Sequence, residues 1–151
     1  AAAFQIAPVM KFVVHKPVRF HHCDPAGIVF YPQFFYLLHE VQEDFLTHIG
    51  FAEHALIAQG IGMPIVDLKT EFLGMCRHGE TLTLTLELTR IGGASLGMHY
   101  EIHAPGPTAD AANTLRLRAD AVVVYSEVPH GKALPIPAAL RDALLPYLQL
   151  H

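Results

Sequence analysis

The sequence predicts an α+β fold in which a mostly antiparallel sheet curls around one long helix. Between residues 33 and 49, apolar side chains recur at steps of three and four, which is the spacing of a helix face. From residue 63 onward the apolar period changes to two, which is the spacing of strands. Such a sheet needs one face covered, and the long helix is the only element large and apolar enough to cover it.

The first strand and the long helix are bounded by prolines and a glycine. Residues 12–20 mix β-branched and aromatic side chains, and Pro17 among them indicates an edge strand or a bulge. Pro32 stands where the first helical position is expected, and Gly50 supplies a C-terminal stop. The apolar side chains of the helix extend beyond one face, which predicts a helix largely enclosed by the fold.

Four further strands are expected to follow in meander order. The clearest covers residues 81–90, where leucine alternates with threonine and glutamate, so that one side faces a core and the other faces water. Gly92 and Gly93 mark a tight connection to the next strand. The other expected elements are a short helix over 52–58 ending at Gly60, strands over 63–73, 96–102 and 115–125, a turn-rich loop over 104–113, and a closing helix over 136–148.

Composition limits the class of protein. The 151 residues are 52% hydrophobic, which suits a single domain over 12–151 preceded by an arm or expression remnant over 1–11. Two cysteines are too few for a disulfide framework or a four-thiolate zinc site, so a reducing, cytoplasmic location is expected. A net charge of -4 offers no basic field for nucleic acid, and no apolar run approaches the roughly 20 residues that cross a bilayer.

The segment HCDPAGIVFYP, residues 22–32, places one carboxylate on a Pro/Gly turn just before the long helix. Such a turn brings Asp24 near free helix amides, which sets an anionic base or nucleophile beside donors for a developing negative charge. Those are the two parts that an acyl-transfer site needs. The simpler alternative is that Asp24 only caps the turn, as aspartates often do ahead of helices.

Three segments carry a resemblance to a known family. They are HCDPAGIVFYPQFFYLLHE (22–40), IGMPIVDLKTEF (61–72) and CRHGETLTLTLEL (76–88). Together they resemble the 4-hydroxybenzoyl-CoA thioesterase branch of the hotdog-fold acyl-CoA thioesterases, over residues 12–128. The resemblance implies a hotdog fold with a five-stranded sheet, and hydrolysis of a small acyl-CoA, with aromatic acyl groups among the candidates. It implies no separate cofactor, because coenzyme A enters as part of the substrate.

The resemblance also assigns roles to residues. Asp24 matches the catalytic carboxylate, which attacks the thioester carbonyl or activates a water. Tyr31 matches the position whose backbone N–H polarises that carbonyl. In this family two subunits pair their sheets and the acyl-CoA lies along their boundary. A homodimer or tetramer is therefore expected, with each site built from two chains.

Further residues are expected to contact the substrate. They are His22, Gly27, Phe30, Pro64, Arg77, His78, Arg90 and Ser95. The family's arginine-rich stretch reads RIGGAS here, over residues 90–95, so Arg77, His78 and Arg90 are the nearest cations for the CoA phosphates. Ser95 is expected to reach substrate from the partner subunit.

Other interpretations of this region stay open or are disfavoured. In one interpretation His22 acts at the site, by a hydrogen bond to Asp24 or by orienting a water molecule. In the other it is an ordinary polar residue at a strand end. No metal site is expected, because His21 and His22 face opposite ways and no HExxH or paired CxxC spacing occurs. Cys23 has no activating partner beyond neighbouring histidines. A non-catalytic acyl-thioester binding domain is the main alternative, and a hotdog dehydratase fits the aspartate turn less well.

Overall fold

Five strands form one antiparallel sheet in the computed structural model, which describes residues 9–106 and 113–149. The strands are β1 (Phe12–Pro17), β2 (Ile61–Gly62), β3 (Ile65–Phe72), β4 (Thr81–Ile91), β5 (Ser95–Ala104), β6 (Thr114–Val124) and β7 (Ser126–Glu127). The large sheet has the order β1-β4-β5-β6-β3, and β2 pairs with β7 as a separate ribbon. The helices are α1 (Tyr31–His48), α2 (Glu53–Ala58) and α3 (Ala138–Leu144), with 3-10 turns at Phe20–His22 and Leu145–Tyr147.

The core lies between the sheet and α1, as the apolar periods predict. The leucines of β4 all face inward and are fully buried, whereas the threonines between them face the outer surface. The α1 side chains that meet this face are Phe34, Leu37, Leu38, Val41, Gln42, Phe45 and Leu46. Burial of this many apolar side chains is the main stabilising contribution to the fold.

Helix α1 is less enclosed than its wide apolar face predicted. Tyr36 is 68% exposed, and His39 and Glu40 also lie on the open side of the helix. The expectation of a largely enclosed helix is therefore wrong for the single chain. The physical reason is that the sheet covers only one side of α1.

The predicted meander is correct for three strands and wrong for the fourth. Consecutive antiparallel hairpins join β4 to β5 and β5 to β6, but β3 pairs with β6 at the far edge of the sheet. The connection over residues 73–80 therefore crosses the end of the sheet before β4 begins beside β1. This crossing is what brings residues 76–80 next to the Asp24 turn.

Several element boundaries differ from the predictions. β1 ends at Pro17 and is an edge strand, as Pro17 indicated, and a 3-10 turn takes the place of its last predicted residues. The predicted closing helix divides into α3 and a 3-10 turn at Pro146. Most of the loop predicted over 104–113, and of the arm over 1–11, lies outside the described residues. None of the helices formed by the described residues has the length and apolarity needed to cross a membrane.

Candidate active site

Asp24 lies at the tip of a short hairpin that leads directly into α1. Cys23 pairs with Val29 as an isolated antiparallel bridge, and Phe30 N–H donates to the His22 carbonyl at 2.9 Å. Asp24 N–H donates to the Ile28 carbonyl at 3.0 Å. The hairpin therefore fixes the backbone on both sides of Asp24, and α1 starts one residue after it ends.

The turn itself depends on the aspartate and on a glycine. Asp24 Oδ1 accepts a hydrogen bond from Ala26 N–H at 2.8 Å, and the Asp24 carbonyl accepts one from Gly27 N–H at 2.9 Å. Gly27 has a φ of 78°, in the left-handed region that favours glycine. The turn-capping alternative is thus correct for one carboxylate oxygen. Among the described residues, no hydrogen-bond partner is found for the other oxygen, Oδ2.

Two neighbouring grooves open around this hairpin. The first, the Asp24 groove, has a volume of about 440 Å³ and is lined by Phe20, Cys23, Asp24, Pro25, Gly27 and His78. The second, the aromatic groove, has a volume of about 370 Å³ and is lined by Val29, Tyr31, Phe34, Phe72, Leu73, Gly74 and Met75. The hairpin contributes to both grooves. Within the single chain, Asp24 and Tyr31 therefore line adjacent grooves and not one cavity.

Tyr31 is the first residue of α1, so its backbone N–H has no acceptor within the helix. The N-cap residue Phe30 supplies no side-chain hydrogen bond, and Pro32 has no N–H. No acceptor for Tyr31 N–H is found among the described residues. This amide is therefore a free donor at the positive end of the helix dipole, where a developing oxyanion is stabilised.

The connection over residues 73–80 forms the other wall of the Asp24 groove. Arg77 pairs with Ile28 as an antiparallel bridge, and His78 N–H donates to the Gly27 carbonyl at 3.0 Å. Arg116 of β6 fastens this connection, since its guanidinium donates to the Met75 carbonyl and to Glu80 Oε2, the latter at 3.4 Å. Arg77 and His78 are thus adjacent to the aspartate turn, and their contact with the substrate stays a prediction.

His22 and Cys23 do not act on Asp24 in this arrangement. His22 is only 7% exposed, and its Nδ1 accepts a hydrogen bond from Arg19 N–H at 2.9 Å. Burial lowers the pKa of His22, and the nearby His21 lowers it further, so the neutral ring is favoured. His22 is therefore an interior residue that does not line the groove. Burial, and then the Asp24 charge, raise the pKa of the Cys23 thiol, which disfavours the reactive thiolate.

The other predicted substrate contacts are divided between the two ends of the sheet. Phe30 is exposed beside Tyr31, with ring centroids 5.5 Å apart. Arg90 and Ser95 lie at the opposite end of β4, about 30 Å from the Asp24 end. There Arg90 Nη2 donates to Ser95 Oγ at 2.8 Å.

Pro64 lies at the same distant end of the sheet, in a third cavity of about 420 Å³ between α2 and the β2-β7 ribbon. The single chain therefore does not bring Pro64, Arg90 or Ser95 to Asp24. Contact between Ser95 and substrate held by a partner subunit stays a prediction.

Two aromatic residues of this region were missed by sequence reasoning. Phe72 ends β3 and is 50% exposed, and its ring lies 6.3 Å from that of Tyr31 and 6.1 Å from that of Phe34. Phe20 is 84% exposed and lines the Asp24 groove. An apolar residue at a strand end resembles a core residue in the sequence, so neither position carried a signal of its own.

One cluster of metal-capable side chains lies away from the Asp24 groove. His39 and Glu43 on α1 and Glu53 on α2 place their ligand atoms within 4.8 Å of one another. His39 Nε2 is 3.4 Å from Glu53 Oε2, so the histidine and the glutamate already contact each other. Exposed acidic groups often form such clusters without an ion, and the absence of a metal site stays a prediction.

Comparison with known proteins places the chain in a family. A family model described as the thioesterase-like superfamily matches residues 18–144. The 1,4-dihydroxy-2-naphthoyl-CoA hydrolase of Synechocystis is 26% identical over 134 residues, which are 88% of this chain and 94% of that protein. The 4-hydroxybenzoyl-CoA thioesterase of Pseudomonas sp. strain CBS-3 is 25% identical over 133 residues, 85% and 93% of the two chains.

A solved structure agrees with these relatives. The crystal structure of Slr0204, a 1,4-dihydroxy-2-naphthoyl-CoA thioesterase from Synechocystis, superposes with a TM-score of 0.79 at 25% identity. The superposition covers 90% of this chain and 96% of that one. The matched family model spans the Asp24 hairpin, α1 and four of the five strands of the large sheet; only β1 lies before it. The chain therefore belongs to the thioesterase-like superfamily and has its hotdog fold.

Proposed function

We propose that this acyl-CoA thioesterase hydrolyses an aromatic acyl-CoA, with Asp24 as the nucleophile or general base and Tyr31 N–H as the oxyanion donor. One observation carries the proposal. A hydrogen-bonded hairpin holds Asp24 in an open groove and ends one residue before the free first amide of α1. A carboxylate and a preorganised amide donor close together are what thioester hydrolysis requires.

The chemistry needs few groups because a thioester is already activated. In the nucleophilic route, a carboxylate oxygen of Asp24 forms a bond to the carbonyl carbon, the C–S bond breaks and CoA leaves as the thiolate. Water then hydrolyses the anhydride and restores the carboxylate. In the base route, Asp24 takes a proton from water as the water oxygen bonds to the carbonyl carbon; the C–S bond then breaks, and the proton on Asp24 passes to the departing CoA thiolate. In both routes Tyr31 N–H stabilises the oxyanion, a role whose loss costs about 2.7–4 kcal/mol of barrier in other enzymes.

The aromatic groove supports an aromatic acyl group. Phe72 contacts Tyr31, Phe34 and Phe35 at centroid distances of 6.3, 6.1 and 6.2 Å, and half of its ring surface is open. Such a cluster offers ring faces and edges for stacking against another ring, and it excludes water from the reacting carbonyl. Two relatives are named for aromatic substrates, 1,4-dihydroxy-2-naphthoyl-CoA and 4-hydroxybenzoyl-CoA.

We also propose that the protein forms a homodimer or tetramer. Strand β3 is an edge strand with most of its residues exposed, including apolar Ile65, Val66 and Leu68. An exposed apolar edge is suited to pairing with the same edge of a second copy. The distant positions of Pro64, Arg90 and Ser95 also require a second protomer if they are to contact the same substrate. Light scattering coupled to size exclusion measures the native mass.

The decisive experiment is the substitution Asp24→Asn, assayed by thiol release from aryl-CoA and short-chain acyl-CoA esters. Asparagine keeps an oxygen that accepts from Ala26 N–H, so the turn and the fold should persist. We expect turnover to fall about 10²–10⁴-fold with an unchanged melting temperature. Asp44→Asn, which alters a partly exposed carboxylate of α1 paired with Lys16 at 3.0 Å, serves as the matched control and should retain full turnover.

Retention of activity by Asp24→Asn would end the assignment of Asp24. Tight CoA-ester binding by the unaltered protein, without thiol release across the panel, would instead indicate an acyl-thioester binding domain. Label found in the enzyme carboxylate after single-turnover hydrolysis in ¹⁸O-labelled water would identify the nucleophilic route, because the base route puts no label there.

A further inference from the structure

His22 lies at the junction of the backbone segments that build the candidate site. Its N–H donates to the Arg19 carbonyl at 3.0 Å, and this bond closes the 3-10 turn that follows β1. Its carbonyl accepts from Phe30 N–H at 2.9 Å, which closes the base of the Asp24 hairpin. Phe30 directly precedes Tyr31, the residue with the free amide. The placement of His22 therefore affects both the candidate carboxylate and the candidate oxyanion donor.

The His22 ring adds a hydrogen bond that the backbone alone does not make. Its Nδ1 accepts from Arg19 N–H at 2.9 Å, so both backbone groups of Arg19 are bonded to this one residue. Three residues after the N-cap of a helical turn, glutamate or glutamine commonly accepts this bond, and here a histidine takes that place. The ring is buried beside the His21 ring, with centroids 4.1 Å apart, which limits its replacement by water.

This hydrogen bond requires the neutral form of the ring. A backbone N–H is always a donor, so Nδ1 of His22 accepts only while it carries no proton, and the neutral ring then carries its proton on Nε2. Protonation of Nδ1 sets two N–H groups against each other, removes the bond to Arg19 and leaves a charge in a buried position. Closure of the turn is therefore conditional on the charge of His22.

The surroundings of His22 hold the ring neutral at neutral pH. Burial lowers the pKa of His22, and His21 on the same turn lowers it further. Glu40 of α1 raises this pKa, and Arg19 lowers it. In the described part of the chain, these are the titratable and charged groups that act on the ring from the turn and from α1. The folded protein therefore keeps the hydrogen bond down to a pH below the ordinary histidine pKa of about 6.5.

We propose, on the basis of the proposed function, that His22 is a positioning residue whose neutral ring keeps the Asp24 carboxylate and the Tyr31 amide correctly spaced. The ring does not line the Asp24 groove, so its effect passes through the backbone of the turn and the hairpin. Protonation of His22 opens the turn, displaces Asp24 and lowers turnover. A small movement suffices, because misplacement by about 1 Å can slow an enzyme about 10²-fold.

The test replaces the titrating acceptor with one that does not titrate. His22→Gln keeps an oxygen that can accept from Arg19 N–H, whereas His22→Ala removes the acceptor. Hydrolysis of one acyl-CoA is followed between about pH 4.5 and pH 8, and the fall of kcat toward acid should shift by at least about 0.5 pH unit to lower pH in His22→Gln. At about pH 8 this variant should keep kcat within about twofold.

His22→Ala should lose kcat at least about tenfold at every pH, with KM changed by less than about twofold, because the ring does not line the groove. The comparison of His22→Gln with the unaltered protein decides the matter by itself if His22→Ala does not fold. The control His15→Gln removes an exposed histidine of β1 and should leave the pH profile unchanged.

NMR titration of the ring nitrogens provides a measurement without turnover. The His22 ring should carry its proton on Nε2 at neutral pH and gain the second proton only below about pH 6.5. An acid fall of kcat at the same pH in His22→Gln and the unaltered protein, or an equal loss of kcat by His22→Gln at every pH, would overturn the inference. Failure of the unaltered protein to hydrolyse the ester, or full activity of Asp24→Asn, would instead refute the proposed function.

Discussion

The substitution Gly27→Ala tests how far the aspartate turn controls the site. Gly27 has a φ of 78°, and a Cβ added there would meet no heavy atom within 4 Å. The added methyl group is therefore free of clashes, and the cost is backbone strain of about 1–2 kcal/mol. For a chain of this length, that loss corresponds to a decrease of about 2–8 °C in melting temperature.

The strain can be relieved only by moving the turn. Relaxation to negative φ would disrupt the hydrogen bond from Gly27 N–H to the Asp24 carbonyl at 2.9 Å, and the one from His78 N–H to the Gly27 carbonyl at 3.0 Å. Displacement of a reacting group by about 1 Å can cost 10²-fold in rate. We therefore expect kcat/KM for an acyl-CoA to fall at least about tenfold in Gly27→Ala.

Gly50→Ala is the matched control for this experiment. Gly50 has a φ of 89° and equally open space around its Cβ position, but it lies beyond the C-terminal end of α1. The helix separates it from Tyr31 by about 28 Å. Both variants should lose similar stability in thermal unfolding, and only Gly27→Ala should lose activity. Equal turnover in the two variants would refute the argument that Gly27 positions Asp24.

Two further predictions concern stability. Leu86 is fully buried at the centre of β4. The substitution Leu86→Ala should therefore lower the free energy of unfolding, measured by urea titration, by about 2–5 kcal/mol. A loss below about 1 kcal/mol would contradict the place of Leu86 in the core. Burial alone would lower the pKa of His99, but hydrogen bonds to Glu101 and Asp120 outweigh burial and raise it. The resulting stabilisation is complete below about pH 6.5 and is lost as the pH rises through the folded-state pKa of His99. The substitution His99→Gln should therefore lower the free energy of unfolding more at about pH 6 than at about pH 9. Equal losses at the two pH values would contradict this prediction.

The elements of the fold follow from local patterns, whereas the order of the strands does not. In β4, apolar residues alternate with polar ones, and this alternation predicts which side of the strand is buried. The leucines on that side are buried as expected. Alternation does not state which strand lies alongside. The placement of β3 beside β6 depends on the crossing connection over residues 73–80, which has no apolar period.

The candidate site was predictable where the residue type itself carries the chemistry. Asp24 is recognisable because it stands in the segment CDPAGIVFYP, which carries the family resemblance, and Tyr31 because it follows in that segment at the start of the helix. The contributions of Phe20 and Phe72 depend on exposure, which the sequence does not encode. The expectation that His22 contacts the substrate depended on the direction of its ring, which the sequence does not encode. In the structure His22 Nδ1 accepts a hydrogen bond from Arg19 N–H.

The guanidinium of Arg116 has a consequence for how substrate preference can change. It joins a central strand to the segment that carries Arg77, and it also donates to the Pro105 carbonyl at 2.6 Å, next to the loop between β5 and β6. Replacement of this one side chain would loosen that segment and, through it, the aspartate hairpin to which the segment is hydrogen-bonded. Acyl-CoA selectivity is therefore open to change from a position that lines neither the Asp24 groove nor the aromatic groove, which makes Arg116 a useful target for directed evolution.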